Sequence, residues 1–506
     1  MTLATSISPQ VFETGSIKNE RFRSSSKFAC MSTIVIFSHD WGFAMKIVTT
    51  LAILTLTLPA WGADSPQDVN RPNVLFLLAD DQRPDTIAAL GNEVIHTPHL
   101  DRLVREGTTF TRAITAIPIC VASRAEILTG RDGRLNGKDD FGWSPAPDAV
   151  ALGTALREAG YATCYTGKWH TRGRPSDFGY QQALGLFGGG GGEYPLNHPF
   201  DWKGMPVTGY TGWIFQSDSR ELYPGQGVGL TPDISAKFAD AAVQYIRREH
   251  PKPFFLHVNF TAPHDPLLMP TGFADLYNPK KIPLPENFAK EHPFDHGNFD
   301  GRDEQLFAWP RTPEQTRGAL EVYYALITHM DTQIGRILKA LEQTGQLDNT
   351  IIIYSSDHGL AIGSHGLRGK QNMYEHTIGV PLIFRGPGIP ADRRTAAQCY
   401  LRDLYPTICD LCDVPIPDTV TAKSLKPILD GSQEPIHQAV FAHFRDSQRA
   451  IRTDRWKYIR YPLADREQLF DLKQDPLEQN NVADDPQFAE TLKRLRKRLT
   501  TWEDGS

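Results

Sequence analysis

Asn73-Val74-Leu75-Phe76-Leu77-Leu78-Ala79 is apolar at every position after Asn73, and Asp80-Asp81 follow it directly. Seven residues are too few for a typical helix, and a short continuous apolar run reads as a strand buried on both faces. Three further segments share this character: Tyr161 to Thr166, Phe254 to Phe260 and Thr350 to Ser355. Each is followed by ionisable residues. Lys168 and His170 come after the second, His264 after the third, and Asp357-His358 after the fourth. In an open α/β sheet, ligands bind beyond the carboxyl ends of the strands, so these four junctions mark one candidate site. A single such junction reads more simply as a turn or helix cap; four together point to chemistry.

Between the strands, apolar residues recur every three or four positions over Val150 to Ala159, Ile234 to Arg248 and about Thr316 to Thr344, which predicts helices. Alternating strand and helix gives an α/β fold: a large mixed, mainly parallel sheet sandwiched by helices. After residue 430 the pattern changes to close-set strands at Ala439 to Phe444, Arg449 to Arg452, Trp456 to Tyr461 and Gln468 to Leu472, with a turn at Thr453-Asp454 and a helix over Pro486 to Trp502. The expected organisation is therefore an N-terminal extension and signal at 1–62, a catalytic domain at 71–430, and a smaller C-terminal antiparallel sheet subdomain at 431–506.

Met45-Lys46 leads into the apolar stretch Ile47 to Leu58, with small residues at Ala60, Gly62 and Ala63. That stretch is too short to span a bilayer and has the form of a secretory signal over 45–62. The expected location is periplasmic or secreted, without a stable membrane span. Net charge is −6, and the one basic run, Lys493 to Arg498, reads as the solvated face of a terminal helix. Nucleic acid is thus not an expected partner. Five cysteines remain after cleavage, an odd number; Cys409 and Cys412 read as buried thiols or one local disulfide, since no second ligand pair accompanies them. Gly188 to Gly192 lacks the Lys-Ser/Thr of a phosphate-binding loop.

Adjacent carboxylates at Asp80 and Asp81 repel unless a cation compensates them, and Asp357 brings a third to the same sheet edge. Oxygen ligands favour calcium, then magnesium, over zinc. The competing reading makes Asp81 a helix cap and Asp357 a turn residue. Cys120-Val121-Ala122-Ser123-Arg124 places a thiol at a helix start, either as a nucleophile of lowered pKa or as a plain buried cysteine.

With these residues in place, the sequence resembles the formylglycine-dependent sulfatases of the alkaline phosphatase superfamily, over about Arg71 to Val482. The motif Cys-x-Pro/Ala-x-Arg with Leu-Thr-Gly stands here as Cys120 to Arg124 with Leu128-Thr129-Gly130. Thr97-Pro98-His99-Leu100-Asp101, Gly167-Lys168-Trp169-His170, Ala262-Pro263-His264, Ser356-Asp357-His358-Gly359 and Gly369-Lys370 accompany it. The resemblance implies that a maturation enzyme oxidises Cys120 to formylglycine, whose hydrate attacks the sulfur of a sulfate ester. The alcohol leaves, and loss of the second hydroxyl's proton expels sulfate. It further implies that Asp80, Asp81, Asp357 and His358 hold Ca2+ (Mg2+ less readily), with His358 standing where many relatives carry Asn. Arg124 would orient the hydrate, and Lys168, His264 and Lys370 would neutralise sulfate oxygens. His264 would also protonate the departing alcohol, and His170 would take the hydrate's proton.

Two rival functions follow from the same residues: a phosphomonoesterase or phosphodiesterase of that superfamily, and an inactive carbohydrate-binding relative. The connection Pro285 to Thr316 carries His292, Asp295, His296, Asp300, Arg302, Asp303, Glu304, Trp309 and Arg311. Long connections are uncommon unless functional. It is expected to border the pocket and offer an aromatic face and charges to a sulfated small molecule or glycan; the alternative is a surface excursion packed on itself.

Overall fold

In the computed structural model, residues 71–136 and 146–505 are described, all within one compact unit. The expected signal at 45–62 and the extension before it lie outside the described residues. The leading apolar run forms β1 (Asn73–Asp80), buried at every position. Around it a nine-stranded sheet assembles from β2 (Thr108–Ile114), β3 (Ala162–Lys168), β4 (Gln182–Gly188), β5 (Ile214–Gln216), β6 (Phe254–Pro263), β7 (Thr350–Ser356), β8 (Leu382–Arg385) and β9 (Arg393–Tyr400). Their order is β5-β4-β3-β6-β1-β7-β8-β2-β9. The four predicted strands form the contiguous parallel centre β3-β6-β1-β7. The antiparallel pairs, β4 with β5, β7 with β8 and β2 with β8, make the sheet mixed.

Alternation along β1 divides the core. Leu75, Leu77 and Ala79 face one layer with α1 (Pro98–Glu106), α4 (Ile234–Ile246) and α5 (Pro313–Gln343). Val74, Phe76 and Leu78 face the other, with α2 (Cys120–Thr129) and α3 (Leu152–Glu158). A buried Leu or Phe side chain contributes about 1.5–3 kcal/mol, so the run that reads as a strand also binds the two helical layers together. The long helix begins three residues before its apolar periodicity does. Thr312 Oγ1 accepts from the Gln315 amide at 3.2 Å, and Pro313 fills the first turn, where no amide is needed.

The C-terminal sheet is β10 (Val440–Phe444), β11 (Gln448–Arg452), β12 (Trp456–Tyr461) and β13 (Arg466–Asp471), each antiparallel to the next. Leu492, Leu495 and Leu499 of the final helix pack on Ile451, Tyr458 and Leu469. This leaves Lys493, Arg494 and Lys497 exposed as the solvated face. The opposite face of the sheet buries Val440, Ala442 and Phe444 against Ile117, Ile119 and Ala122, beside the start of α2. Cys164, Cys399, Cys409 and Cys412 are buried free thiols. Among the described residues no helix is long and apolar enough to cross a membrane.

Gly167 is where β3 presents Lys168. Its φ is +94°, and a Cβ there would lie 1.9 Å from the carbonyl oxygen of Asn259 on β6. Gly167→Ala is therefore expected to lower unfolding stability by about 2 kcal/mol or more, as positive-φ strain and a backbone clash add. Urea unfolding measures this; a midpoint equal to that of wild type would contradict it.

Candidate active site

The ends of β1, β3, β6 and β7 and the start of α2 converge on one buried cluster. Asp80 is the last residue of β1, and Asp81 turns away from it with φ +70°. Asp357 follows β7, and its Oδ1 accepts from the Asp81 amide at 3.2 Å. All three carboxylates are fully buried. Burying carboxylates this close together costs several kcal/mol per ion unless opposite charge compensates, and the surrounding side chains provide it. Lys168 Nζ lies 2.5 Å from Asp80 Oδ2. Arg124, on the second turn of α2, reaches Asp357 Oδ2 at 2.9 Å and Asp80 Oδ1 at 3.6 Å. Lys370 Nζ meets both oxygens of Asp81, at 2.9 and 3.0 Å.

Cys120, the first residue of α2, sits in the middle. Its Sγ is 3.2 Å from His358 Nε2, 3.4 Å from Lys370 Nζ and 3.9 Å from Asp81 Oδ1. Burial alone would raise its pKa; Lys168, Lys370 and His358 instead pull the thiol well below its ordinary value. Burial and Asp80 push Asp357 up to about 7. Against the effect of burial, Asp357, Cys120 and Asp81 lift His358 to about 10.

These residues suit a divalent cation. Oxygen donors of Asp80 and Asp81, the Cys120 sulfur and a His358 nitrogen lie within 4.8 Å of one another, Asp357 joins through Asp81, and the buried Asp80 Oδ1 has no hydrogen-bond partner. A buried, under-satisfied carboxylate oxygen among like charges is the environment a hard cation relieves.

Of the expected sulfate-binding side chains, His264 and Lys370 reach the open space beside this cluster, whereas Lys168 lies fully buried behind it on Asp80. A cavity of about 300 Å³ is lined by Cys120, His170, His264 and Lys370, with Arg302, Asp303 and Arg445 on its wall. His264 Nε2 is 3.8 Å from Asp81 Oδ2. His170 lies edge-on to Trp213, with ring centroids 5.1 Å apart. The structure thus brings together all ten residues singled out from the sequence.

It also adds residues that the sequence reading passed over. Tyr210 donates to Asp80 Oδ2 and packs against the His264 ring; Asn259 Oδ1 accepts from Arg124 Nη1 at 2.5 Å. Asn259 carried a signal, as a polar residue in an otherwise buried strand, whereas Tyr210 lies in a loop with no periodicity to mark it. The 285–316 connection divides. Asp300, Arg302 and Asp303 line the cavity. Trp309 does not; its ring lies under the Arg311 guanidinium, 3.9 Å from the ring centroid, and packs at a tilt against Phe299. Arg311 is buried against Glu304 at 2.5 Å, and His292 and His296 are buried beside Tyr374 and Phe299. The aromatic face expected from Trp309 is used for packing.

A buried cysteine ringed by lysine, arginine and histidine, with carboxylates behind it, at the carboxyl edge of an α/β sheet, suits an enzyme that acts on anionic esters. A family profile described as Sulfatase matches residues 72–414, and one described as N-sulphoglucosamine sulphohydrolase, C-terminal, matches residues 363–504. The chain belongs to the sulfatase family and is a sulfuric ester hydrolase. An arylsulfatase of Clostridium perfringens is 30% identical over 466 residues, covering 86% of this chain and 95% of that protein. The solved structure of a protein in complex with its substrate D-glucosamine-2-N,6-O-disulfate superposes with a TM-score of 0.68 at 26% identity, covering 86% and 98%. The phosphonate monoester hydrolase of Agrobacterium radiobacter superposes with a TM-score of 0.71 at 25% identity, covering 86% and 96%.

Lys370 offers the cavity an ammonium 3.4 Å from Cys120 Sγ. Removing one such preorganised donor typically costs 10²–10³-fold in turnover. Lys370→Met is expected to lower kcat on an aryl sulfate by about that factor. Steady-state kinetics on a folded variant checks this, and an undiminished kcat would contradict it.

Proposed function

We propose that this sulfatase is exported and acts on sulfated carbohydrates, using a formylglycine made from Cys120 by a maturation enzyme and a divalent cation, calcium in preference to magnesium. The observation that carries this reading is the setting of Cys120: first residue of a helix, buried, and within 3.2–3.4 Å of His358 and Lys370. A plain structural cysteine has no use for such neighbours. Asp80, Asp81, Asp357 and His358 would hold the cation. Together, a hydrated aldehyde and a cation would supply an oxygen nucleophile at neutral pH.

The chain's own residues do the rest. Arg124, fixed between Asp357, Asp80 and Asn259, orients the hydroxyl-bearing position 120 from one turn further along α2. Lys370 binds the sulfate oxygens and holds the ester sulfur over position 120, with Lys168 adding positive charge from behind, on Asp80. His264 gives a proton to the alcohol oxygen as its bond to sulfur breaks, and His170 takes the proton that must leave position 120. We read 71–430 as the portion that carries these groups and 431–506 as a C-terminal piece that adds Phe444 and Arg445 to the cavity wall. Export rests on the secretory pattern of 45–62.

The sugar-sulfate complex among the similar structures and the N-sulphoglucosamine sulphohydrolase profile favour a carbohydrate ester; the phosphonate monoester hydrolase favours a second reading, hydrolysis of a phosphorus ester at the same site. A panel of sulfated mono- and oligosaccharides, choline sulfate, aryl sulfates and a phenyl phosphonate ester, compared by kcat/KM, decides between them. A sulfated sugar is expected to lead; preference for the phosphonate ester would establish the second reading instead.

The peptide carrying residue 120 is expected, from a host with a maturation enzyme, to be lighter by the difference between a thiol and an aldehyde. Cys120→Ala should abolish turnover while leaving the unfolding midpoint near that of wild type. Full activity from a preparation whose mass shows an intact thiol would overturn the formylglycine assignment.

A further inference from the structure

We infer that Arg302 is a positioning residue which sets both His264 and Lys370 for ester cleavage; the inference rests on the sulfate-ester reading above. Arg302 arises in the long 285–316 connection, far in sequence from either side chain. Its guanidinium takes both oxygens of Asp265, Nη1 to Oδ2 at 2.6 Å and Nη2 to Oδ1 at 2.9 Å. It also binds the carboxylate of Asp303. Each of these carboxylates stands beside one of the two cations. Asp265 Oδ1 is 3.3 Å from His264 Nδ1, and Asp303 Oδ2 is 3.9 Å from Lys370 Nζ.

The arrangement fixes the ring of His264. Its Nδ1 meets the backbone oxygen of Asp265 at 2.5 Å, a contact that requires Nδ1 to donate. Nε2 is left as the atom on the Asp81 side, in the cavity that Cys120 also lines. Asp265 cannot swing away from this position, because Arg302 grips both of its oxygens and Gly209 closes in behind. A Cβ at 209 would lie 2.5 Å from Arg302 Nη1 and 3.0 Å from Asp265 Oδ2. A planar fork with two parallel N–H bonds gives this orientation; an ammonium supplies the charge without it.

Without the guanidinium, Asp265 and Asp303, which are 5% and 3% exposed, would be left as buried carboxylates beside His264 and Lys370. Both would draw those side chains out of alignment. In the reaction, His264 transfers its proton to the alcohol oxygen as the S–O bond breaks, and Arg302 neither gives nor takes a proton. Its loss should therefore matter most where the leaving alcohol needs that proton.

The test compares kcat/KM on phenyl sulfate, a poor leaving group, and 4-nitrophenyl sulfate, an activated one, for wild type, Arg302→Lys and Arg302→Gln. Substituting the outer partners that orient metal-ligating side chains typically costs 10–100-fold in affinity or activity, and a loss on that scale is expected here. Arg302→Gln is expected to lose about 100-fold on phenyl sulfate and about 10-fold on 4-nitrophenyl sulfate, with Arg302→Lys between it and wild type on both. Should the glutamine variant fail to fold by thermal unfolding, the lysine variant carries the same split. Equal losses on the two esters, or none, would overturn the positioning role. A wild type that cleaves neither these aryl sulfates nor any sulfated sugar, yet cleaves a phenyl phosphonate ester, would overturn the sulfate-ester reading, and this inference with it.

Discussion

Three carboxylates, Asp80, Asp81 and Asp357, are buried at the adjoining ends of β1 and β7, and the site is organised by the need to compensate them. Each buried ion costs several kcal/mol unless paired and hydrogen-bonded. The protein answers with Lys168 from β3, Arg124 from α2 and Lys370 from the loop after β7, each within 2.5–3.0 Å of a carboxylate. Because these partners come from separate elements, the charge cluster can form only when the sheet and α2 are in register. The charge cluster is thus also a strong constraint on the fold around it.

The same economy links the cluster to more distant parts of the chain. Arg124 is held by Asn259 as well as by Asp357, so the helix that begins with Cys120 is tied to β6 and β7. Tyr210 joins Asp80 to the ring of His264. The C-terminal sheet packs its apolar face beside the start of α2, and this brings Phe444 and Arg445 to the cavity. A sheet that reads in sequence as an appendage is therefore part of the pocket wall.

The central strands were legible because they are buried on both faces, and burial leaves a continuous apolar signature. β9 was not: it is an edge strand, Arg393–Tyr400, that alternates between half-buried and exposed along its first half. β5 has only three residues, too few for any period. At the site, residues adjoining a strand end could be found because the apolar run points to them. Tyr210 could not, since a loop path decides where it arrives; the connection bearing Arg302 could be placed at the pocket border, but not the pairing of Arg302 with Asp265 and Asp303. Trp309 shows the opposite failure. An aromatic residue among charges suggests a sugar platform, yet its face is occupied by Arg311, and sequence carries no record of which face is free.

The central claim is that Asp80, Asp81, Asp357 and His358 form one divalent-cation site. Equilibrium calcium binding to the metal-stripped protein, followed calorimetrically, tests it most directly. The account predicts one saturable site per chain in wild type, a rise in unfolding temperature with calcium concentration as expected for a ligand that binds only the folded state, and loss of both in Asp357→Asn. Absence of saturable binding in wild type, or binding that survives unchanged in Asp357→Asn, would contradict it.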